Sequence, residues 1–580
     1  MSKKRSIITA SLLLTALLIS AGLFRYLRGN ENRQFEAYTQ SLFCQEVAAS
    51  TISLHYTLKD PSSYGIDDAP VTLGACTDDV AAICASAENA LAVLNSFDRT
   101  RLSKENRLTY DVLKNSLLSA HSLAPYALYE EPLAPLTGTQ AQLPVLLSEY
   151  QFYHKSDIDT YLELLTRTPD YFRSILKFEQ AKSAAGLFMA SYSADDLIEE
   201  CQTFIDMGEN NYLYSSFTER LNTLKLSDAE KSAYTKVNAE HIEEYIFPAY
   251  AELKEGLTAL RDTGKNSSGL CHLPDGRRYY ELVVASETGS ARDIPELQRL
   301  TQQQMITDLT DMQKLLTPAA EDTALSSDLF REQGTILKDT DPASILAGLE
   351  KKLSGNFPDP PKVNTQIKYV QKSMEEYLSP AFYMIPAIDN AAENVIYINQ
   401  GRLSDDLSLF TTLAHEGYPG HLYQTTYYAS QNPDPIRSLL NYGGYVEGWA
   451  TYSEMMSYYY APVPGDAAAL MQKNTSVILG LYALADMGIH YEGWSLLDTV
   501  SFFRSYGVTD TGTIEDIYDL IIADPANYLK YYIGYVEFLE LKKDALETWG
   551  DDFSQQRFHK AVLDIGPAPF DLIRKYIIKK

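Results

Sequence analysis

The sequence predicts a mainly α protein: one large helical body with a small β element set just ahead of a helix that carries histidines. Three observations predict it. Across most of the chain, apolar residues recur three and four apart, the period of a helix with one buried face. One stretch, ENVIYINQG at 393–401, instead alternates β-branched and aromatic residues with Asn and stops at Gly, the pattern of a strand. The segment after it, LSLFTTLAHEGYPGHLYQTTYYAS, returns to helical spacing with a His-Glu pair and a second His inside it.

The elements follow in order. MSKKR precedes IITASLLLTALLISAGLF, 18 residues without a charge, and then Arg25. That length is near the lower limit for spanning a bilayer and longer than a usual signal-peptide core. Residues 1–28 are therefore expected to be an N-terminal signal-anchor, with Lys3, Lys4 and Arg5 on the cytoplasmic side and the body exported. Secretion after signal cleavage is the alternative. No Cys closely follows the apolar run, so a lipid anchor is not expected. A short stalk is expected over 29–35, and an N-terminal helical part over 36–265. The run TGKNSSGLCHLPDGRR at 263–278 breaks the helical period and is the expected boundary. A second, site-bearing part would fill 266–580, the two together forming one composite body from 36 to 580.

Composition narrows the partners. The formal charge is 49 − 77 = −28, which argues against nucleic acid, a partner that needs a basic footprint, and against an anionic lipid surface. Membrane contact is expected through the N-terminal helix only. Forty-two tyrosines exceed what a surface usefully carries, so many must be buried or line a cavity. The five cysteines, Cys44, Cys76, Cys84, Cys201 and Cys271, form no C-x-x-C pair, which removes a cysteine zinc cage. Export would permit a Cys76–Cys84 or Cys201–Cys271 disulfide; buried free thiols are the alternative.

The chemistry-bearing stretch is HEGYPGH, residues 415–421. A helix with H-E-x-x-H holds zinc through two histidines four apart, with the Glu as base. Here the histidines are six apart, turned by about 240° on a regular helix. Pro419 cannot donate to the His415 carbonyl, and Gly417 and Gly420 accept unusual backbone conformations. A local bulge that loops out two residues would restore the geometry. His415 and His421 are then metal ligands and Glu416 the general base. A third ligand is expected from YVEGWATYSE, where Glu447 and Glu454 lie two turns apart on one face. Either could ligate; Gly448 permits close helix approach and favours Glu447, leaving Glu454 to orient a histidine. Downstream, DMGIHYEGW offers Asp486 as a further orienting carboxylate and His490 as an oxyanion contact, and PANYLKYYIG offers Tyr531 for the same task. His55, His121, His154, His241, His272 and His559 lack metal-like spacing and are read as structural. The edge of the 393–401 strand could hold an extended peptide by β-addition.

HEGYPGH, EGWATYSE, DMGIHYEGW, PANYLKYYIG and the tail FHKAVLDIGPAPFDLI resemble, in that order, blocks of the bacterial "domain of unknown function 885" family, and LHYTLKDPSSYGI resembles its N-terminal block. The resemblance covers residues 36–578. It implies a gluzincin-type zinc metallopeptidase with His415, His421 and Glu447 on Zn²⁺, Glu416 as base, and Tyr531 and His490 as oxyanion or substrate contacts. Its substrates would be extracellular peptides. The sequence departs from the family at Pro525-Ala526-Asn527, where Pro-Gly-Gln is usual; Asn527 keeps the amide on a shorter side chain. Two other readings stay open: an inactive cell-surface protein that binds peptides in a helical cleft, and a zinc hydrolase acting on an ester or a non-peptide amide.

Overall fold

A computed structural model of the chain describes residues 31–319, 340–370, 372, 375 and 378–578. Helices carry most of them, and they hold one sheet, of three strands; the fold is mainly α. The expected anchor over 1–28 lies outside the described residues. Among those described, no helix is long and apolar enough to cross a membrane.

Of the stalk expected over 29–35, residues 31–35 are instead the start of helix α1 (Glu31–Ala48), and 29–30 lie outside the described residues. Phe35, Thr39, Leu42, Phe43, Glu46 and Val47 are buried along it, a stripe of helical period that begins inside the polar-looking segment. Helix α1 and helix α2 (Lys104–Leu123) share a core with nearly every element after residue 270. A second core, around Tyr161, Phe172, Phe217 and Leu253, is built largely from residues 133–257. The core therefore does not divide at the expected boundary of 263–278. That segment is itself pinned: Leu270 is buried and its amide donates to His490 Nδ1 at 3.1 Å. Surplus tyrosines fill both cores, with Tyr161, Tyr250, Tyr280, Tyr423, Tyr445 and Tyr532 fully buried. All five cysteines are free thiols, so neither expected disulfide pairing occurs.

The sheet consists of β1 (Asn364–Tyr369), β2 (Ala381–Met384) and β3 (Glu393–Ile398) in the order β1-β3-β2. Strand β3 is the one predicted from sequence. It lies in the middle, parallel to β1 and antiparallel to β2, so its edges are occupied and it cannot add a peptide strand. Its Val395-Ile396-Tyr397-Ile398 run suits a strand covered on both faces. The edge next to the site belongs to β2.

Six helices build the site: α3 (Gly276–Thr288), α4 (Asp406–Glu416), α5 (His421–Ser430), α6 (Gly443–Ser457), α7 (Gly465–Met487) and, after α8 (Thr511–Ala523), α9 (Leu529–Trp549). Helices α6 and α9 approach closely enough for their backbones to meet. A Cβ added to Gly448 would lie 2.4 Å from the Gly534 carbonyl carbon, and one added to Gly534 would lie 2.1 Å from the Gly444 oxygen. The backbones touch because neither helix carries a side chain there.

Gly534→Ala is expected to destabilise the fold by at least about 1–3 kcal/mol, since the clash is with backbone and cannot be relieved by a rotamer. Urea unfolding of the purified protein measures this; an unshifted midpoint would refute the contact.

Candidate metal centre

Helix α4 starts at Asp405, whose carboxylate accepts the Ser408 amide at 2.7 Å, and buries Leu409, Phe410, Leu413 and Ala414. It stops at Glu416. The bulge expected within one continuous helix is a full break: residues 417–420 form a turn, with a cis Tyr418–Pro419 peptide, and α5 begins at His421. The Gly417 amide closes α4 on the Leu413 oxygen at 2.9 Å, the Gly420 amide reaches back to the Ala414 oxygen at 3.0 Å, and the Tyr423 amide bonds the Gly417 oxygen at 3.2 Å. A Cβ at Gly420 would sit 1.8 Å from the His415 oxygen, so the turn requires glycine. Helix α6 holds it from outside: Trp449 Nε1 donates to the Pro419 oxygen at 2.8 Å and Ser453 Oγ does so at 3.2 Å. The last turn of α4 and the first of α5 thus face each other, with the His415 and His421 ring centroids 4.9 Å apart at 81°.

Glu447 closes the cluster from α6. Its Oε2 lies 3.4 Å from His421 Nε2 and 3.7 Å from His415 Nε2. A tetrahedral zinc with bonds of about 2.0–2.2 Å separates its ligand atoms by about 3.3–3.6 Å; the two Glu447 contacts are close to that spacing, and one ligand atom from each of His415, His421 and Glu447 lies within 4.8 Å of the others. Glu454, two turns along α6, places Oε2 3.0 Å from His415 Nδ1. That contact puts the proton on Nδ1 and turns the Nε2 lone pair toward the cluster. Among the described residues no fourth His, Cys, Asp or Glu joins the group. Both imidazoles keep 14 % exposure and Glu447 18 %, so one side is open, as in catalytic rather than structural zinc sites.

Charge in the cluster is strongly paired. Burial opposes ionisation of both His415 and Glu447. The Glu447 and Glu454 carboxylates outweigh it at His415 and raise its pKa well above the usual value, while His421, His415 and Lys530 hold Glu447 well below its own. Two imidazoles against this many carboxylates form a site that attracts a cation. Glu416 sits beside the ligands with Oε2 accepting the Tyr383 amide of β2 at 2.8 Å. Burial raises its pKa, against the pull of His421 and His415.

Tyr531, in the first turn of α9, brings its ring centroid to 6.4 Å from that of His415. Its hydroxyl makes no hydrogen bond among the described residues. Burial, and then the charges of Glu447 and Glu416, push its pKa well above the usual phenol value, so it remains a donor. Sequence reasoning missed Lys530. It is buried, donates to Asn527 Oδ1 at 2.6 Å, lies 5.3 Å from the Tyr531 ring centroid and acts electrostatically on Glu447. A lone cation inside the otherwise apolar YLKYYIG was the signal. The Tyr383 amide that steadies Glu416 had none, because any residue supplies an amide.

The structure thus brings together His415, His421, Glu447, Glu416, Glu454 and Tyr531. It does not give His490 or Asp486 the roles expected. His490 is fully buried with both ring nitrogens engaged: Nδ1 accepts the Leu270 amide and Nε2 donates to the Ile521 oxygen at 2.8 Å. Burial pushes its pKa down to about 4, so it is a neutral ring with nothing left for substrate. Asp486 orients no metal-binding histidine. It accepts the Tyr280 hydroxyl and the Ala526 amide, the latter at 3.1 and 3.2 Å. Asn527, placed where the related family has Gln, is taken up by Lys530. Of the other histidines, His55 accepts the Gln151 amide at 3.0 Å and His559 bridges the Asn356 oxygen and the Tyr452 hydroxyl, both internal contacts.

A mainly helical body with a His/His/Glu cluster at a helix break is the class that fold and site define. The chain belongs to the family described as "Bacterial protein of unknown function (DUF885)", which matches residues 73–577. Two solved structures share the fold. One, described as a "putative lipoprotein from Colwellia psychrerythraea", superposes with a TM-score of 0.79 at 16 % identity, covering 94 % of this chain and 98 % of that one. The other, a "putative lipoprotein of unknown function from Shewanella oneidensis", gives 0.64 at 17 % identity, covering 94 % and 100 %. At such identities the likeness is one of fold. No curated protein matches the chain.

Burial raises the Asp486 carboxyl to about 7, against the pull of the Tyr280 hydroxyl and the Ala526 amide. The native state keeps this proton up to about pH 7, whereas the unfolded chain releases it near about pH 4. The unfolded state therefore binds fewer protons between those values, and stability falls as pH rises through the window. Denaturant unfolding at several pH values between 4 and 7 should show a shallower fall for Asp486→Asn than for the native chain; identical slopes would contradict the buried neutral carboxyl.

Proposed function

We propose that this protein is a zinc-dependent metallopeptidase of the gluzincin type that hydrolyses oligopeptides at the extracytoplasmic side of the cell envelope. The convergence of His415, His421 and Glu447, with Glu416 beside them, carries this reading. His415 Nε2, His421 Nε2 and a Glu447 oxygen would hold the ion. Zinc in that position supplies Lewis acidity, polarising a carbonyl and acidifying water. Glu416 takes a proton from the attacking water and later gives it to the leaving amine; burial brings its pKa closer to the range that serves both transfers. The Tyr531 hydroxyl, protonated and without another partner among the described residues, donates to the oxyanion as it develops. Glu454 keeps His415 in the tautomer that presents Nε2. Strand β2, the edge strand beside Glu416, suits an extended peptide along the backbone groups that Glu416 leaves open. The apolar N-terminal segment and the description of both structural neighbours as lipoproteins support a place in the envelope.

Zinc content and turnover test this. The purified soluble part should carry one zinc per chain, and Glu454→Gln should weaken zinc binding by about 10–100-fold in chelator competition. No bound zinc in the native chain would overturn the reading. Glu416→Gln should keep the zinc and lower peptide turnover by about 10²–10⁴-fold, followed by mass spectrometry on a mixed-peptide digest. Full activity in that variant would remove Glu416 as the base.

A further inference from the structure

The Tyr531 hydroxyl has no hydrogen-bonding tether of its own among the described residues, so its position is inherited from the backbone of the first turn of α9. That turn is entered from the α8–α9 loop, residues 524–528. One end of α7 and the turn that follows it grip this loop at Ala526 and the last turns of α8, just before it, at Ile521. Asp486 and His490 are four residues apart and share a helical face. Asp486 accepts the Ala526 amide with both carboxylate oxygens, and His490 Nε2 donates to the Ile521 oxygen near the end of α8. Both grips are locked from behind. The Leu270 amide occupies His490 Nδ1 and so fixes the proton on Nε2. Tyr280 of α3 donates its hydroxyl to Asp486 and stacks its ring on His490 with centroids 5.3 Å apart at 28°. Ala526, fully buried, is held at φ 65°, a conformation that strains an alanine and persists only where its surroundings over-determine it.

We propose that Asp486 and His490 form a clamp on the α8–α9 loop that positions Tyr531 against the metal centre. The clamp touches neither metal nor substrate; it acts through the Ala526 amide and the Ile521 carbonyl. The proposal rests on the peptidase reading in one respect, that Tyr531 acts in turnover. It gives the DMGIH block a task that its buried, fully bonded side chains can perform.

A double-mutant cycle tests it, using the zinc-loaded soluble part and an equimolar mixture of quenched fluorescent oligopeptides, then the best-cleaved member of that mixture. Asp486→Ala should lower kcat by about 10–100-fold with KM changed less than about twofold, the scale of a misplaced group. Zinc content should stay at one per chain. In a Tyr531→Phe background the same change should cost less than about threefold further, because the hydroxyl to be positioned is gone. Asp486→Asn, which keeps an acceptor oxygen, should recover most of the rate. Tyr280→Phe, which removes one support of Asp486 and keeps the ring on His490, should give a smaller loss that also vanishes in the Tyr531→Phe background, and it serves if Asp486→Ala does not fold. Amide hydrogen exchange across 524–532 should speed up in Asp486→Ala while the rest of α9 is unchanged. Multiplicative losses in the double mutant, or unchanged exchange over 524–532, would overturn the clamp. Cleavage of no peptide by the native chain would overturn the peptidase reading, and full activity of Tyr531→Phe would overturn the role of Tyr531 on which the clamp depends; the exchange result is independent of both.

Discussion

The contact of α6 with α9 at Gly444, Gly448 and Gly534 is the constraint on which the site depends. Helix α6 carries Glu447 and Glu454, and α9 carries Lys530 and Tyr531. At an ordinary helix separation of 8–10 Å these side chains could not share one small volume. With the backbones in contact, the carboxylate that completes the cluster and the phenol beside it approach the same two histidines. The turn at 417–420 is fitted to the same helix, since Trp449 and Ser453 of α6 hold the Pro419 oxygen. A single helix therefore fixes the third ligand, the carboxylate behind His415 and the break that lets His415 and His421 converge.

Electrostatics sharpen what packing arranges. Glu416, Glu447 and Glu454 stand together in a largely desolvated space, where unpaired negative charge is expensive. Two imidazoles and the buried Lys530 offset part of it. A divalent cation would offset more, because His415, His421 and Glu447 already bring one ligand atom each within 4.8 Å of the others. A site of this kind gains from an ion twice, in coordination and in relief of repulsion among its own carboxylates.

Much of the site was legible in the sequence because its chemistry lies in residue types at short spacings. His415, Glu416, His421 and the glutamates of EGWATYSE could be read from HEGYPGH and a return helix. The glycine beside Glu447 could be read as a crossing point. Less legible were features that depend on what the chain meets in space. The strand at 393–401 was recognised, but its central place in the sheet follows from pairing with two distant segments. The stalk over 29–35 looked polar because only Phe35 announces the buried stripe of α1. His490 and Asp486 show a different limit: a histidine and an aspartate in a motif-like block suggest chemistry, yet spacing cannot distinguish a side chain that meets substrate from one that accepts a backbone amide. Only burial and the partner atoms on each nitrogen and oxygen decide that.

Ala526 joins these levels. The family resemblance read from the sequence implies glycine at this position, where a left-handed backbone is free of penalty; here an alanine adopts φ 65°. A strained residue in an exposed loop would relax, and the loop would drift. This one is buried, its amide is held by Asp486, and the next residue is taken up by Lys530 through Asn527. The conformation therefore survives the loss of glycine because the surrounding bonds outweigh its strain. Asn527 is drawn into the same internal network through Lys530. The departure from that pattern is thus absorbed in the scaffold, and the ring of Tyr531, in the turn that follows, stays beside His415 with its hydroxyl unbonded among the described residues.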